Sequence, residues 1–589
     1  MTQANLPFHT DPRDRGRLNS LKSIIAAVSD ELRQNADVAN GIVDFTTGVL
    51  PTVIKQHAPF DLVSVDHSNP QLISPYKFEI LDLLDNRPAT PEVFPSVIEL
   101  SACFGNLAEP LKEENLELIG IDESQVDIPL PHSTLAFLKT SAFRMAKTDT
   151  GIPDEAVGPM VSRLRMKLSD GENFEDQNRL LGYIRNNFIA YISALNSLIS
   201  GRNPFVVLHG PLVRTIGGFA DITFDYETAS QLLNVNLPEA GEFNPPATAN
   251  QPAFTGDAAT QQNLSPTLQD SLQGENNLRQ FNEFCFQKCG KTCTLKHPFT
   301  NKNASEPLNR YTTVTDKLIK ERDYPGYCLY FWVLRSLLDL ARLSKTNVSS
   351  VVEDVSMATE TLRYALPSLL TIQKARQAIQ NSSLKAALKK LSIDYPSQPN
   401  ERGRLYNLAR KTIQDLGLCD ATIFSYLLSE GQYTAPVQIH RYRSRDFFVE
   451  NLGDNISGTH NDFNIILNKL FPTKNSSNDS GYRVLMSYVR TSPLREPVRV
   501  EYFDLEHLRP PRKVIGPLYL LSLPYQEYGL PVILYYADKV ARTPTQLVRT
   551  IIEREYTDII LKNKFDEPVQ IMRALGKLSR GYFQREGLK

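Results

Sequence analysis

The stretch that most constrains this chain is Asp61 to Asn69, DLVSVDHSN. Leu62, Val63, Ser64 and Val65 read as a short apolar strand, and Asp66 stands at its end with polar residues directly after it. A carboxylate at the tip of a buried strand costs free energy unless a metal ion or another cation offsets its charge. Surface turns also begin with Asp, so the weight of Asp66 depends on what the rest of the chain supplies.

Before this strand, residues 17–58 read as helical. Leu21, Ile24, Ile25, Val28 and Leu32 fall on one face at helical spacing, which predicts a helix packed on the core, with a dimer contact as the alternative. After it, YKFEILDLLD and PSVIELSACFG read as strands, a small antiparallel meander following Asp66. Residues 106–170 are mixed and acidic, with helix-like stretches at STLAFLKTSAFRMAK and EAVGPMVSRLRMKL. A long helix is predicted from about Glu175 to Ser200, with Leu180, Ile184, Phe188, Ile192 and Leu195 as its apolar stripe. PFVVLHGPLVR then reads as a second buried strand ending at His209.

Residues 236–280 are rich in Pro, Gly, Gln, Asn and Thr and poor in aliphatics, which predicts a flexible insertion. Beyond it, PGYCLYFWVLRSLLDLARLSK reads as an apolar helix, NVSSVVEDVS as a strand, and RVLMSYVR and EPVRVEYFDL as two alternating strands. The chain thus divides into an N-terminal helical region (1–58), a first α/β portion (59–235), the insertion (236–280), a Cys-containing helical region continuing the core (281–430) and C-terminal strands and helices (431–589). Strand, meander, helix and strand in this order predict an α/β fold with an RNase H-like core and helical additions.

Composition narrows the function classes. A net charge of -2 over 589 residues gives no global attraction for nucleic acid, so such contacts must come from local basic patches such as RYRSR or RPPRK. No apolar run reaches the length of about 18 residues that spans a bilayer, and the N-terminus has no apolar signal segment. Six cysteines in a chain this long do not make a disulfide framework, and a reducing, cytoplasmic setting is expected.

Cys285, Cys289, Cys293 and His297 recur at a spacing of four, a ligand set suited to zinc or to an iron–sulfur cluster. On one straight helix these side chains cannot surround an ion, and the alternative is a thiol-lined structural segment. Gly290-Lys291-Thr292 does not make a phosphate loop, because Cys285 stands where that pattern needs its first glycine and no apolar strand leads into it. His67 and His209 both follow apolar strands, a placement shared by satisfied strand-end histidines and by functional ones.

Taken in order, VSVDHSN, VVLHGPLVR, LCDATIFSYLLSEGQYT, PVRVEYFD and GLPVILYYADKVART resemble the motifs of the NurA family of DNA-end-processing nucleases, over about residues 60 to 575. The resemblance implies an RNase H-like core, a homodimer, manganese-dependent DNA cleavage and a hexameric HerA-type ATPase as partner, in DNA repair or in resistance to phage. Asp66 matches the family's first metal-binding Asp. His209 stands where the family has the Asp of D-G-P-L, and Asp538 stands where it has a histidine. Asn187 falls where it has a helical Glu, and Glu99, Glu172 or Glu175 are candidates to replace that acid.

Two readings follow. In the first, ligands have been exchanged, and Asp66, His209 and Asp538 form a mixed site for Mn²⁺ or Mg²⁺. In the second, the site is lost and the chain is a scaffold that binds DNA and regulates the ATPase.

Overall fold

The computed structural model describes residues 22–31, 36–62, 77–83, 115–130, 133–146, 166–168, 174–199, 201–214, 222–225, 323–353, 361–382, 384–390, 402–438, 483–504 and 511–555, with single residues at 33, 111 and 393. The chain forms two units, Met1–Leu81 with Val355–Ser429 and Asp82–Asp354 with Glu430–Lys589.

The second unit is built on a mixed sheet. Its main strands are β1 (Leu116–Leu130), β2 (Ser133–Ala146), β3 (Met166–Leu168), β4 (Asn203–His209), β5 (Asn347–Val352), β6 (Gln432–Thr434), β7 (Arg483–Val489) and β8 (Val498–Asp504). Their order across the sheet is β6-β7-β8-β5-β4-β1-β2-β3. The three central strands, β1, β4 and β5, are parallel, and the flanking pairs are antiparallel.

Parallel strands need crossovers, and two helices supply them. Helix α1 (Phe174–Ile199) joins β3 to β4, and α2 (Gly326–Ser344) lies between β4 and β5. Leu180, Ile184 and Phe188 of α1 are buried, as are Tyr330, Leu334 and Leu337 of α2, and the two helices pack on one another. Phe205 to Leu208 of β4 are all buried, as expected for a central parallel strand covered on both faces. Helices α3 (Arg512–Ser522) and α4 (Val532–Glu555) follow β8.

Helices α1 and α4 cover opposite faces of β1. Side chains alternate along a strand. A Cβ on Gly120 would meet the carbonyl oxygen of Ile533 in α4 at 2.5 Å, whereas one on Gly182 in α1 would meet Glu123 at 2.8 Å. The absence of a side chain at position 120 therefore lets α4 lie directly on the strand.

The first unit is mainly helical. Ala36–Asp44, a π-helical turn at Phe45–Val49 and Leu50–His57 run on from one another, and Leu362–Thr371, Gln373–Gln380, Lys385–Lys390, Arg402–Leu416 and Asp420–Leu427 complete it with a two-stranded ribbon, Phe60–Asp61 with Lys77–Phe78. Phe78 stacks between Phe60 and Phe424 at 5.2 and 6.1 Å. The fully buried Asp420 accepts from the backbone N–H groups of Thr361 and Leu362, both at 2.9 Å, satisfying donors that a helix start leaves open.

Several sequence expectations differ from this architecture, among them the helix-like reading of EAVGPMVSRLRMKL, whose last three residues are strand β3. STLAFLKTSAFRMAK is strand β2, not a helix, because its pairing with β1 from Glu117–Ala146 to Leu130–Ser133 overrides local helix propensity. The sheet contains an antiparallel meander of β1, β2 and β3; of the segments expected as strands after Asp66, YKFEILDLLD holds the strands Lys77–Phe78 and Ile80–Asp82, and PSVIELSACFG lies outside the described residues. Ile24, Ile25 and Val28, predicted to pack on the core, are more than half exposed.

Candidate metal centre

The three parallel strands end together. Ile121 of β1 pairs with Leu208 of β4, which sets Asp122 level with His209. Val351 of β5 pairs with His209, and Glu353 follows two residues on. Cross-strand partners share a face, so Asp122, His209 and Glu353 project from the face that α4 covers. Glycine is required just after His209, where Gly210 adopts φ 87° and donates its N–H to the Val351 carbonyl at 2.8 Å. The turn is fixed further by Glu501, fully buried on β8, which accepts from the Leu212 N–H at 2.9 Å and is paired with Arg499.

Helix α4 delivers the next carboxylate. Lys139 and Ser141 of β2 donate to the carbonyls of Val540 and Ala537 at 2.5 and 3.1 Å, anchoring α4 on either side of Asp538. Asp122, His209 and Asp538 then offer one ligand atom each, all within 4.8 Å of one another. His209 Nδ1 lies 2.9 Å from Asp122 Oδ1 and its Nε2 lies 3.8 Å from Glu353 Oε2. Arg542, one helical turn beyond Asp538, pairs with that carboxylate.

The electrostatics are those of crowded acids. Burial pushes the Asp538 carboxyl up and the negative charge of Asp122 adds to this, against the pull of Arg542. Glu123 is pushed up to about 7, first by burial and then by Asp122, with Arg214 opposing. Burial alone would push His209 down, but its hydrogen bond to Asp122 and the nearby Glu353 carboxylate carry it up to about 10. Glu353 is held below the usual carboxylate range, chiefly by the His209 ring 3.8 Å away. The His209 ring and Arg542 supply the positive charge that the metal-free cluster holds beside its carboxylates. Two carboxylates and an imidazole fit a hard divalent cation, with oxygen ligands for Mg²⁺ and a mixed set for Mn²⁺.

Of the residues singled out in the sequence, the structure brings His209 and Asp538 together. Asp66, Glu99, Glu172 and the Cys285, Cys289, Cys293, His297 set lie outside the described residues, and Glu175 is placed by its backbone in the first turn of α1. Asn187 is buried within α1.

Asp122 and Glu353 were missed. The signal for Asp122 was present: Leu118, Ile119 and Ile121 lead into Asp122-Glu123-Ser124, the same apolar run into an acid as at Val65-Asp66. Glu353 ends the apolar run of NVSSVV in the same way.

Fold and site define an α/β protein whose parallel strand ends present carboxylates and an imidazole as a candidate metal centre. Residues 194–543 match the family model of the NurA domain. That is more than half of the chain, and it holds β4, β5 and the first half of α4 with His209 and Asp538. The chain belongs to the NurA family.

Among solved structures, the NurA nuclease from Sulfolobus solfataricus is similar at 8% identity, covering 91% of this chain and 98% of its own, with a TM-score of 0.35. A NurA structure with manganese aligns at 12% identity over 75% of this chain and 89% of its own, TM-score 0.28. One bound to dAMP and manganese aligns at 12% over 73% and 85%, TM-score 0.29. No curated protein matches the chain. Among the described residues, no helix is long and apolar enough to cross a membrane.

Proposed function

We propose that this chain is a divalent-metal-dependent deoxyribonuclease in which Asp122, His209 and Asp538 hold Mn²⁺ or Mg²⁺. The observation that carries this is their convergence, from two parallel strands and one helix, with ligand atoms within 4.8 Å of one another. Family membership supports nuclease chemistry, and relatives have been solved with manganese and with dAMP.

A divalent ion bound here supplies a water of lowered pKa and charge neutralisation at the phosphate. The protein's own part is to fix the ligands. Asp122 and Asp538 would provide the negative charge, and in the metal-free chain Asp122 holds the His209 ring in place through Nδ1. Arg542 and Arg495 lie close enough to lower the Glu353 carboxyl electrostatically and place cations for a phosphate backbone beside the site. The central strand order, an antiparallel three-strand meander continued by two parallel strands, supports an RNase H-like core.

In this assignment Asp122 takes the role that the sequence gave to Asp66. A HerA-like hexameric translocase is the partner that drives DNA to the site, and the chain acts as a homodimer. Both statements rest on family resemblance.

The test is cleavage of linear DNA in Mn²⁺, with and without the ATPase. Asp122→Ala is expected to lower the rate by at least about a hundredfold, as loss of a positioned ligand does, and Asp66→Ala to leave it within a few-fold. Loss of activity only in Asp66→Ala would overturn the assignment. A wild-type chain that cuts DNA under none of the metal or partner conditions would instead be the DNA-binding scaffold.

A further inference from the structure

Tyr525, Tyr528, Tyr535 and Tyr536 gather where the chain passes from α3 into α4. Tyr525 stacks on Tyr535 with ring centroids 4.7 Å apart and planes 20° from parallel. Tyr528 lies against Tyr535 at 4.8 Å, and the Tyr525 and Tyr536 hydroxyls share a hydrogen bond of 3.1 Å. Tyr536 also stacks on Phe143 of β2 at 5.0 Å. Each of these tyrosines keeps part of its surface in solvent. Hydrogen bonds to the backbone already fix the junction beneath them. Thr491, in the turn between β7 and β8, donates to the Gly529 carbonyl at 2.5 Å, and Arg495 of the same turn donates to the Glu527 carbonyl at 2.6 Å. Turn and junction thus form one wall, with Leu494 standing 71% exposed on it.

The wall adjoins the candidate metal centre. Tyr535 precedes Asp538 by three residues on α4, a spacing that makes them neighbours on the helix surface. Phe143, under Tyr536, pairs with Gly120, two positions from the Asp122–Ser141 pair and on the same face of the sheet. Cations accompany the rings. Lys539 Nζ lies 5.3 Å from the centre of the Tyr535 ring, and Arg542, beyond Asp538, has its side chain 62% exposed. Aromatic rings flanked by cations suit a ligand with flat π faces along an anionic backbone. A duplex keeps its base faces stacked inside, whereas a single strand offers them. We propose that this tyrosine wall binds single-stranded DNA, stacking its bases while Lys539, Arg495 and Arg542 meet its phosphates, and so leads one strand to the metal centre. The choice of DNA rests on the nuclease reading above. Protein interfaces also favour tyrosine, but the cations beside these rings lead towards the site.

The test is the fluorescence anisotropy of labelled oligonucleotides on the full-length chain without divalent metal, so that no strand is cut. The probes are oligo-dT, an abasic strand of the same length and a blunt duplex. Wild type is expected to bind oligo-dT more tightly than either of the others. Tyr525→Leu and Tyr528→Leu are each expected to weaken oligo-dT by at least about fivefold, the low end for one stacked base, and to leave the abasic strand within about twofold. Tyr525→Phe and Tyr528→Phe keep the ring and should bind as wild type does. Equal affinity of wild type for oligo-dT and the abasic strand would overturn the proposal without any variant. So would wild-type affinity for oligo-dT in both Leu variants with their melting midpoints unchanged, or an equal loss on the abasic strand. Cleavage of linear DNA in Mn²⁺ separates the two readings. A wild type that cuts, with binding indifferent to the Leu substitutions, would overturn the tyrosine wall alone. A wild type that binds through the tyrosines and cuts nothing would overturn the nuclease reading and uphold the wall.

Discussion

At the scale of single residues, the most heavily loaded side chain outside the site is Glu117. It is fully buried near the start of β1, receives Arg144 Nη2 at 2.8 Å and Arg202 Nη1 at 2.7 Å, and also accepts from Ser197 Oγ. Burial pushes its carboxyl up, but the hydrogen bonds from Arg144, Ser197 and Arg202, with the charge of Arg144, outweigh that and leave it below 4.5. Glu117→Gln leaves two guanidinium groups facing a neutral amide and is expected to cost about 3 kcal/mol, the low end for a broken buried pair because both arginines reach solvent. Urea denaturation at neutral pH measures this. The folded carboxyl titrates below the unfolded one, so its contribution is complete above about 4.5 and is lost as the pH falls through the folded value. Glu117→Gln is therefore expected to show a shallower loss of stability on acidification than wild type.

Residues also show where the sequence was legible. His209 and Asp538 could be singled out because each stands where the resemblance to NurA motifs implies a ligand. Asp122 and Asp66 both end apolar runs, and nothing local separates LIGID from VSVD. What distinguishes Asp122 is a non-local fact, the register of β1 on β4 that sets Ile121 beside Leu208.

At the scale of elements, the placement of α4 on β1 decides whether Asp538 reaches the strand ends at all. This depends on Gly120. A methyl group there would sit 2.5 Å from the Ile533 carbonyl oxygen and 2.8 Å from its carbon, and neither can rotate away because both are backbone. Gly120→Ala is expected to destabilise by about 1–3 kcal/mol, as overpacking does. It also lifts α4, so Mn²⁺ affinity should fall even though no ligand is changed. Calorimetric titration of the folded variant checks this, and unchanged affinity would show that α4 accommodates the methyl.

Helices were the more legible elements. The apolar stripe of α1, repeating at 3.6 residues, and the long apolar run of α2 predicted them within a residue or two. The β1–β2 hairpin was not legible, because fourteen paired positions along it, Glu117–Ala146 to Leu130–Ser133, outweigh a segment whose composition suits a helix.

At the scale of the whole molecule, charge offers no help to DNA binding: 64 Lys and Arg stand against 66 Asp and Glu. The cations that matter are those gathered at one end of the sheet, and the site's affinity for its ion becomes a property of the folded chain. Asp122, His209 and Asp538 are far apart in sequence and meet only when the second unit is folded. Mn²⁺ should therefore bind the folded state alone and stabilise it by RT ln(1 + [L]/Kd), about 2.7 kcal/mol at a hundred times Kd. In a unit of this size that is a rise of several degrees in the melting midpoint, and Asp122→Asn should show none.

The stabilisation has a defined pH dependence. Without metal His209 holds its proton up to about 10, and an imidazole must lose that proton to ligate an ion. Protons thus compete with Mn²⁺ throughout the neutral range, costing up to tenfold in affinity for each unit of pH below that value. At a fixed, sub-saturating Mn²⁺ concentration, the metal-induced rise in melting midpoint is expected to be larger at about pH 8 than at about pH 6. His209→Asn removes the competing group and should flatten this difference while weakening binding overall. A Mn²⁺ shift that grows as the pH falls would mean that the ion does not displace the His209 proton, and would remove His209 from the ligand set.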